Sequence, residues 1–388
     1  MQWINFLHFY QPANTDFYII KEALDKSYWR LVRLMEEHPN LHMTWNVSGC
    51  LLERLYDAQE FNFLEHLAAL IKSGQIELTA TAAYHGLLPL LPETEIIKQI
   101  KANSKIVKKT LGIKLRPVGF FLPEMAYSPK VARILKSLGY DWIIIDEVAT
   151  ALKPPSFLVK DKRSGLKVVL RNRQVSCSYP PTQILKAKSI SNRDFLVTAT
   201  DAELYGLRHK DQTAEMEKVG KLKNLQTLTV SEAIGKVEKD KDFIIDDLVL
   251  AACSWDSSRS DVRHNTPFKL WKDKNNVIHR DLWRLANLAL SLDKPFSKDK
   301  NYKWYRWHLV RGLASCTFWW ASEYDFSRVF GPYAWNPDII ERGLEDMIRA
   351  VRSLDDKESK KYKLEAEKYY LKIKKNIWQR HWNKHWQN

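Results

Sequence analysis

The stretch Val118-Gly119-Phe120-Phe121-Leu122-Pro123-Glu124 decides the fold. Its apolar residues suit a buried strand. Pro123 cannot donate a hydrogen bond to a neighbouring strand, and Glu124 does not suit an apolar core, so the strand should end before them. In parallel βα folds the carboxyl ends of the strands carry the chemistry. The stretch therefore predicts a strand over residues 118–122 with Glu124 at its functional end.

Short strand-like runs alternate with amphipathic helical patterns on both sides of this stretch, up to about residue 256. That alternation predicts βα units with parallel strands, in a closed barrel or in an open sheet. The predicted strands, roughly seven, cover residues 3–7, 41–45, 76–80, 118–122, 142–145, 195–199 and 248–252, and helical patterns cover residues 19–37, 60–73, 93–111 and 130–138.

Two regions depart from the alternation. Residues 148–190 include proline-rich pieces and predict a hairpin formed by residues 167–170 and 175–177, an excursion from the barrel. From about residue 261 the pattern is helical. The sequence thus predicts an α/β catalytic domain over residues 1–260 and a C-terminal helical domain over residues 261–388.

Composition and charge narrow the class of protein. The 388 residues carry a formal net charge of +15, but the basic residues are spread along helical faces and loops, which argues against nucleic acid as a partner. No apolar run approaches the roughly 20 residues of a membrane span, so no membrane partner is expected. The first residues lack the features of a signal peptide, which predicts a cytoplasmic protein.

Two acids, Glu124 and Asp201, follow predicted strands in tightly punctuated segments. Glycoside cleavage needs two such carboxyl groups, one at the anomeric carbon and one at the leaving oxygen. Acids at strand ends also cap the following helix, so spacing alone leaves a structural role open. His8 and Asn46 stand at the ends of two further predicted strands.

Five motifs resemble those of glycoside hydrolase family 57, in the family's order and over about 320 residues. The motifs are Leu7-His8-Phe9-Tyr10-Gln11-Pro12, Gly74-Gln75-Ile76-Glu77, Leu122-Pro123-Glu124, Asp201-Ala202-Glu203-Leu204-Tyr205-Gly206 and Ser315-Cys316-Thr317-Phe318-Trp319-Trp320. A Thr-Trp-Asn-Val-Ser-Gly segment over residues 44–49 lies between the first two motifs.

The resemblance implies a distorted seven-stranded (β/α)7 barrel followed by a C-terminal helical domain that contributes to the active-site cleft. It implies a retaining, α-amylase-like hydrolase of α-glucan or oligosaccharide, with Glu124 as nucleophile and Asp201 as acid/base. No metal and no cofactor are expected. Glu203 competes for the acid role and ranks below Asp201 on its position in the motif.

The resemblance and the chemistry of sugar binding also select substrate-binding candidates. Sugar rings expose C–H faces that pack on flat aromatic rings, while polar side chains bond the hydroxyls. Each candidate has a structural alternative, such as core packing for a tryptophan. The candidates are His8, Tyr10, Gln11, Asn46, Glu77, Phe121, Trp255, Trp319, Trp320 and Tyr324.

Three departures from the family pattern leave the exact substrate open: Tyr10, Phe121 and the pair Leu207-Arg208. Hydrolysis is favoured over 4-α-glucanotransferase or branching activity, because the family's transferring members carry longer C-terminal regions. An α-galactosidase of the same family and a noncatalytic glycan-binding relative are alternatives. A metal-dependent polysaccharide deacetylase would need a cluster of Asp and His ligands, which the sequence does not show.

Overall fold

The computed structural model describes residues 1–150, 156–186, 195–322 and 335–385. The chain divides into two compact units. We call residues 1–11, 15–83 and 88–267 the barrel unit, and residues 12–14, 84–87 and 268–388 the helical unit. Within the described ranges, no helix combines the length and apolar character that crossing a membrane requires.

The strands lie in the barrel unit and are mostly buried, as expected for parallel strands covered on both faces. Their bounds are β1 Gln2–Phe9, β2 Met43–Val47, β3 Ile76–Leu78, β4 Gly119–Phe121, β5 Trp142–Asp146, β6 Leu158–Asp161, β7 Lys167–Arg171, β8 Phe195–Asp201, β9 Gln226–Thr227 and β10 Asp247–Leu248.

Two parallel sets of strands join to surround one interior. The first set has the order β3-β2-β1-β8 and the second β7-β5-β4. Ala80 bridges to Phe120 and thereby connects the end of β3 to β4. On the other side the backbone N–H of Asn172 donates to the carbonyl of Val197 at 2.9 Å, which connects β7 to β8. These connections give a ring of seven strands.

The predicted excursion needs correction in two places. A hairpin exists, but β7 pairs with β6 and not with residues 175–177. The latter region contains a short helix, Arg173–Ser176, because the Asn172 side chain accepts from the backbone N–H of Val175 at 2.9 Å and caps it. The seventh wall strand is β7, which pairs with β5, whereas β10 is only two residues long and pairs with β6.

Helices follow most of the strands, and local capping fixes several of their starts, such as the Thr229 and Glu232 capping box before the helix that begins at Val230. The α-helices are α1 Phe17–Ala23, α2 Trp29–Glu37, α3 Gly49–Asp57, α4 Phe61–Lys72, α5 Glu93–Leu111, α6 Pro129–Ser137, α7 Arg173–Ser176, α8 Pro180–Lys186, α9 Glu215–Gly220, α10 Val230–Val237, α11 Arg259–Arg263, α12 Val277–Ser291, α13 Tyr302–Gly312, α14 Ser315–Trp319, α15 Pro337–Ser353 and α16 Lys360–His385.

Side-chain alternation along β1 shows which residues face the interior of the ring. Ile4 and Phe6 belong to one apolar cluster with Phe121 of β4, whereas Trp3 and Leu7 belong to another. Because side chains alternate along a strand, His8 points to the same side as Ile4 and Phe6. His8 therefore tops the inward-facing row of β1, at the carboxyl end of the strand.

Candidate active site

Three polar residues form one layer at the carboxyl ends of adjacent strands. His8 of β1 lies in register with Asp201 of β8 on one side and with Asn46 of β2 on the other. The Asn46 amide nitrogen donates to Thr79 at 3.0 Å, so its oxygen accepts from Nδ1 of His8 at 2.8 Å. This network assigns the tautomer of His8 with its proton on Nδ1.

His8 lies among aromatic rings and stays neutral at ordinary pH. Its ring centroid is 4.5 Å from that of Phe121, 5.8 Å from Tyr10 and 5.9 Å from Trp255. Burial lowers the pKa of His8 to about 4, against the opposing effects of Asp201 and Asn46. A neutral imidazole between aromatic faces is suited to hydrogen bonding a sugar hydroxyl.

Glu124 sits on an unusual backbone. It has φ 60° and ψ 16°, and Met125 follows at φ 48°, so two consecutive non-glycine residues are left-handed. Such conformations cost on the order of 1–3 kcal/mol each and cluster at functional sites. This turn follows Pro123 directly after β4 and keeps Glu124 at the end of that strand, with only 9% of its surface exposed.

Trp255 holds Glu124 through two hydrogen bonds. Its indole N–H donates to the Oε2 atom of Glu124 at 2.9 Å, and its backbone N–H donates to the Glu124 carbonyl at 3.0 Å. The carbonyl of Trp255 in turn accepts from Arg171 at 3.2 Å and from Arg173 at 3.0 Å. Both arginines pair with the buried Asp146, at 2.7 and 3.1 Å. The carboxyl of Glu124 is thus supported by a chain of charged residues.

Two acids at the carboxyl end of β8, Asp201 and Glu203, have different surroundings. Asp201 pairs with Arg208, with 2.6 Å between Oδ2 and Nη1, and 24% of its side chain is exposed. Glu203 is buried, and it accepts hydrogen bonds from the Gln11 amide at 2.8 Å and from the Tyr28 hydroxyl. Burial raises the pKa of Glu203 to about 7, with a further contribution from Asp201. Of the two acids, Asp201 is therefore the more exposed.

Other sequence candidates are distributed more widely. Glu77 lies on β3 in register with Thr44, one layer below the level of His8, and it accepts from Thr44 at 3.0 Å and from the Ser231 N–H at 3.0 Å. Burial raises the pKa of Glu77. Trp319 and Trp320 belong to the helical unit, half-buried, with ring centroids 4.8 Å apart. Tyr324 lies outside the described residues.

Sequence reasoning did not identify Arg171, Tyr28 or Arg208 as parts of the site. The sequence gives no signal for Arg171, because it predicts residues 167–170 as part of an excursion and not as a wall strand. Tyr28, in a π-helical turn over Leu24–Tyr28, reaches Glu203 across 175 residues of sequence. The only available signal for Arg208 was its departure from the family pattern next to Gly206.

One group of described residues has the spacing of metal ligands: His209, Asp211 and Glu215. Asp211, however, already accepts from Arg30 at 2.5 Å and from Tyr179 at 2.7 Å. Its Oδ1 atom also caps α9 by accepting from the Glu215 N–H at 2.8 Å. An arginine bonded to the central carboxylate compensates its charge, so these contacts explain the cluster as a structural one.

Comparisons with known proteins agree with this architecture. An α-amylase from Pyrococcus furiosus is 32% identical over 147 residues, which cover 37% of this chain and 22% of that protein. The aligned part thus spans about a fifth of the length of that curated relative.

Solved structures share the fold. A 4-alpha-glucanotransferase from Thermococcus litoralis superposes with a TM-score of 0.69 at 17% identity, over 92% of this chain and 60% of that one. A branching enzyme from Pyrococcus horikoshii gives a TM-score of 0.65 at 17% identity, over 97% of this chain and 95% of that one. The predicted fold class, a seven-stranded βα barrel followed by a helical region, is confirmed.

A family model described as glycosyl hydrolase family 57 matches residues 5–245. The match covers more than half of the chain and includes the strands that lead to His8, Glu124 and Asp201. The chain belongs to glycosyl hydrolase family 57.

Proposed function

We propose that this protein is a retaining glycoside hydrolase that acts on α-glucan, with Glu124 as nucleophile and Asp201 as acid/base. One observation carries the proposal. Glu124 follows β4 and Asp201 ends β8 of the same ring. Glu124 accepts from Trp255, whose ring lies 5.9 Å from that of His8, and His8 lies in register with Asp201.

The proposed reaction is a double displacement. In the first step a Glu124 oxygen bonds to the anomeric carbon, the bond from that carbon to the leaving oxygen breaks, and Asp201 gives its proton to the leaving oxygen. In the second step a water oxygen bonds to the same carbon, Asp201 takes a proton from that water, and the bond to Glu124 breaks. Both carboxyl groups return to their initial protonation states.

The substrate class follows from the relatives and from the lining. The similar proteins carry the names α-amylase, 4-alpha-glucanotransferase and branching enzyme, which favour α-glucan over an α-galactoside. The rings of Tyr10, Phe121 and Trp255 surround His8 and offer flat faces to a sugar.

Glucan transfer is a second candidate, and one observation favours it. Two similar solved structures carry the names 4-alpha-glucanotransferase and branching enzyme, and the branching enzyme is covered over 95% of its length. Transfer uses the same two carboxyl groups and differs only in the acceptor of the second step, which is a glucan hydroxyl in place of water.

Incubation with maltoheptaose and, in parallel, with an α-galactoside tests the proposal. We expect shorter maltooligosaccharides whose first-formed anomer, observed by NMR, is α, and no galactose. Products longer than the substrate would show transfer. The Glu124→Gln variant should be inactive, while Glu77→Gln, which changes an acid one layer lower, is the matched control. An inverted anomer, or turnover by Glu124→Gln, would contradict the proposal.

Cytoplasmic location stays a prediction, which cell fractionation tests.

A further inference from the structure

The backbone after β8 brings Arg208 back to Asp201. The N–H of Arg208 donates to the carbonyl of Glu203 at 2.8 Å, which closes a tight turn. Gly206 lies inside this turn at φ +110°, and a Cβ atom there would lie 2.2 Å from the backbone oxygen of Lys26. Only glycine fits that conformation and that space. The backbone position of Arg208 is therefore a property of the fold, and it brings the side chain within reach of Asp201.

The side chains of Arg208 and Asp201 form a close ion pair. Nη1 lies 2.6 Å from Oδ2, and the side chains are 60% and 24% exposed. The Asp201 charge holds the pKa of the Arg208 guanidinium above its usual range. Arg208 therefore stays a cation at every pH of interest, and its charge favours the carboxylate form of Asp201 over the protonated form.

Arg171, which pairs with Asp146, donates to the carbonyl of Ala199 at 3.0 Å and is a second cation near β8. Four other described groups that interact with Asp201 supply no positive charge at neutral pH. His8 is neutral because its pKa is about 4, and burial keeps the Tyr28 phenol protonated by raising its pKa. Glu203 is buried and has a pKa of about 7. Asp256 is an exposed residue, but its neighbours partly desolvate its carboxyl group, which raises the pKa of that group to about 6. Each of these acids, once ionised, opposes the ionisation of Asp201.

We propose that Arg208 is a positioning residue for the acid/base, which holds the Asp201 carboxyl in place and sets the alkaline limit of the reaction. The inference rests on the proposed function, in which Asp201 must be protonated in the first step and ionised in the second. A guanidinium at 2.6 Å favours the form needed in the second step. Removing this guanidinium should therefore disfavour the ionised form and extend the reaction to higher pH.

The pH profile of kcat/KM on maltoheptaose tests this role, because its alkaline limb reports the essential acid of the free enzyme. Arg208→Gln removes the charge, so the alkaline limb should move to higher pH by roughly 0.5–1 unit, as expected for a partly exposed pair. Arg208→Lys keeps a cation and should restore most of the wild-type limb. An unmoved limb in Arg208→Gln, or a limb at lower pH, would overturn the inference even if activity falls.

A titration without substrate separates this inference from the proposed function. With carboxyl-labelled aspartate, the 13C signal of Asp201 is identified by its absence in Asp201→Asn, and its protonation midpoint should be higher in Arg208→Gln than in the wild-type protein. Equal midpoints would overturn the inference. If the wild-type protein cleaves no α-glucan at any pH, the proposed function fails, while the midpoints still decide whether Arg208 controls Asp201. Arg208→Met replaces the Gln variant if that variant does not fold.

Discussion

Trp255 binds Glu124 at both its side chain and its backbone: the indole N–H lies 2.9 Å from Oε2 and the backbone N–H lies 3.0 Å from the carbonyl oxygen. The residues are 131 positions apart in sequence. A left-handed glutamate is an unfavourable conformation by itself, so an external constraint of this kind is needed to fix its carboxyl group. Trp255 is therefore expected to orient the nucleophile as well as to line the site.

Replacing Trp255 by phenylalanine tests this orienting role. The variant keeps an aromatic face and loses the indole N–H, a bond to a charged group worth about 1.5–3 kcal/mol. We expect kcat to fall roughly 10- to 100-fold with a small change in KM. Trp142→Phe is the matched control, because the Trp142 indole donates at 3.0 Å to Ser231, and it should lower stability without lowering kcat. Equal kcat losses in the two variants would contradict the orienting role.

Replacement of Asp201 and of Glu203 should have different effects on the rates of substrates with poor and with good leaving groups. Asp201→Asn should slow cleavage of maltoheptaose by a factor of about 10²–10⁴, and much less in the first step on an aryl glycoside, whose leaving group needs little protonation. Added azide should then speed turnover of the aryl substrate and give a glycosyl azide, because an anion needs no general base. If Glu203→Gln shows this behaviour and Asp201→Asn does not, Glu203 is the acid/base.

Glu203 should also make the free energy of unfolding depend on pH. Its pKa is raised from 4.5 to about 7 in the folded protein, so its favourable contribution is complete below pH 4.5 and is lost as the pH rises toward 7. The free energy of unfolding of Glu203→Gln minus that of the wild type should therefore increase by up to about 3 kcal/mol over that range.

The difference between the two proteins is the informative quantity, because His8 acts in the opposite direction. The pKa of His8 is lowered from 6.5 to about 4, so its contribution is present above pH 6.5 and is lost as the pH falls toward 4. Denaturant unfolding of both proteins at pH 4.5, 6 and 7.5 measures the difference. A constant difference would mean that Glu203 is not buried in its neutral form.

The role of the helical unit at the cleft is a prediction of the fifth motif, and Trp320 tests it. Trp320→Ala should raise KM for maltoheptaose roughly 10-fold, since one stacked aromatic ring is lost. Trp304, a tryptophan of α13 in the same unit that is 54% exposed, provides the matched control. If both alanine variants fold and bind glucan equally well, Trp320 has only a packing or surface role.

Metal independence is a further prediction, and it distinguishes the proposed mechanism from deacetylation. Dialysis against EDTA should leave activity on maltoheptaose unchanged, because the two carboxyl groups suffice for double displacement. Loss of activity that zinc or manganese restores would support a metal-dependent reaction and would focus attention on His209, Asp211 and Glu215.

The strand ends were predictable from sequence because the signal is local. An apolar run that stops at a polar residue places His8, Asn46, Glu124 and Asp201 at the carboxyl ends of β1, β2, β4 and β8, where the structure has them. The identity of the seventh wall strand was not predictable in this way. Lys167–Arg171 has the same local pattern whether it pairs with β6 in a hairpin or with β5 in the ring, and it does both.

The residues that contact the carboxyl groups of Glu124, Asp201 and Glu203 could not be predicted from the sequence, for a related reason. Trp255 reaches Glu124 only after the barrel has formed, and Tyr28 reaches Glu203 across a similarly long stretch of chain. Arg208 reaches Asp201 through the turn at Gly206, where the carbonyl of Lys26 leaves no space for a side chain. Contacts of this kind depend on tertiary packing, which hydrophobic patterns do not encode.

The identity of the nucleophile is the central claim, and covalent trapping tests it most directly. A 5-fluoroglucosyl fluoride forms the glycosyl-enzyme readily and releases it slowly, so the intact protein should gain the mass of one fluoroglucosyl group. Peptide mapping should place that group on Glu124, and Glu124→Gln should gain no mass. A label on Asp201 or Glu203, or the absence of any label in an enzyme that releases an inverted anomer, would contradict the account.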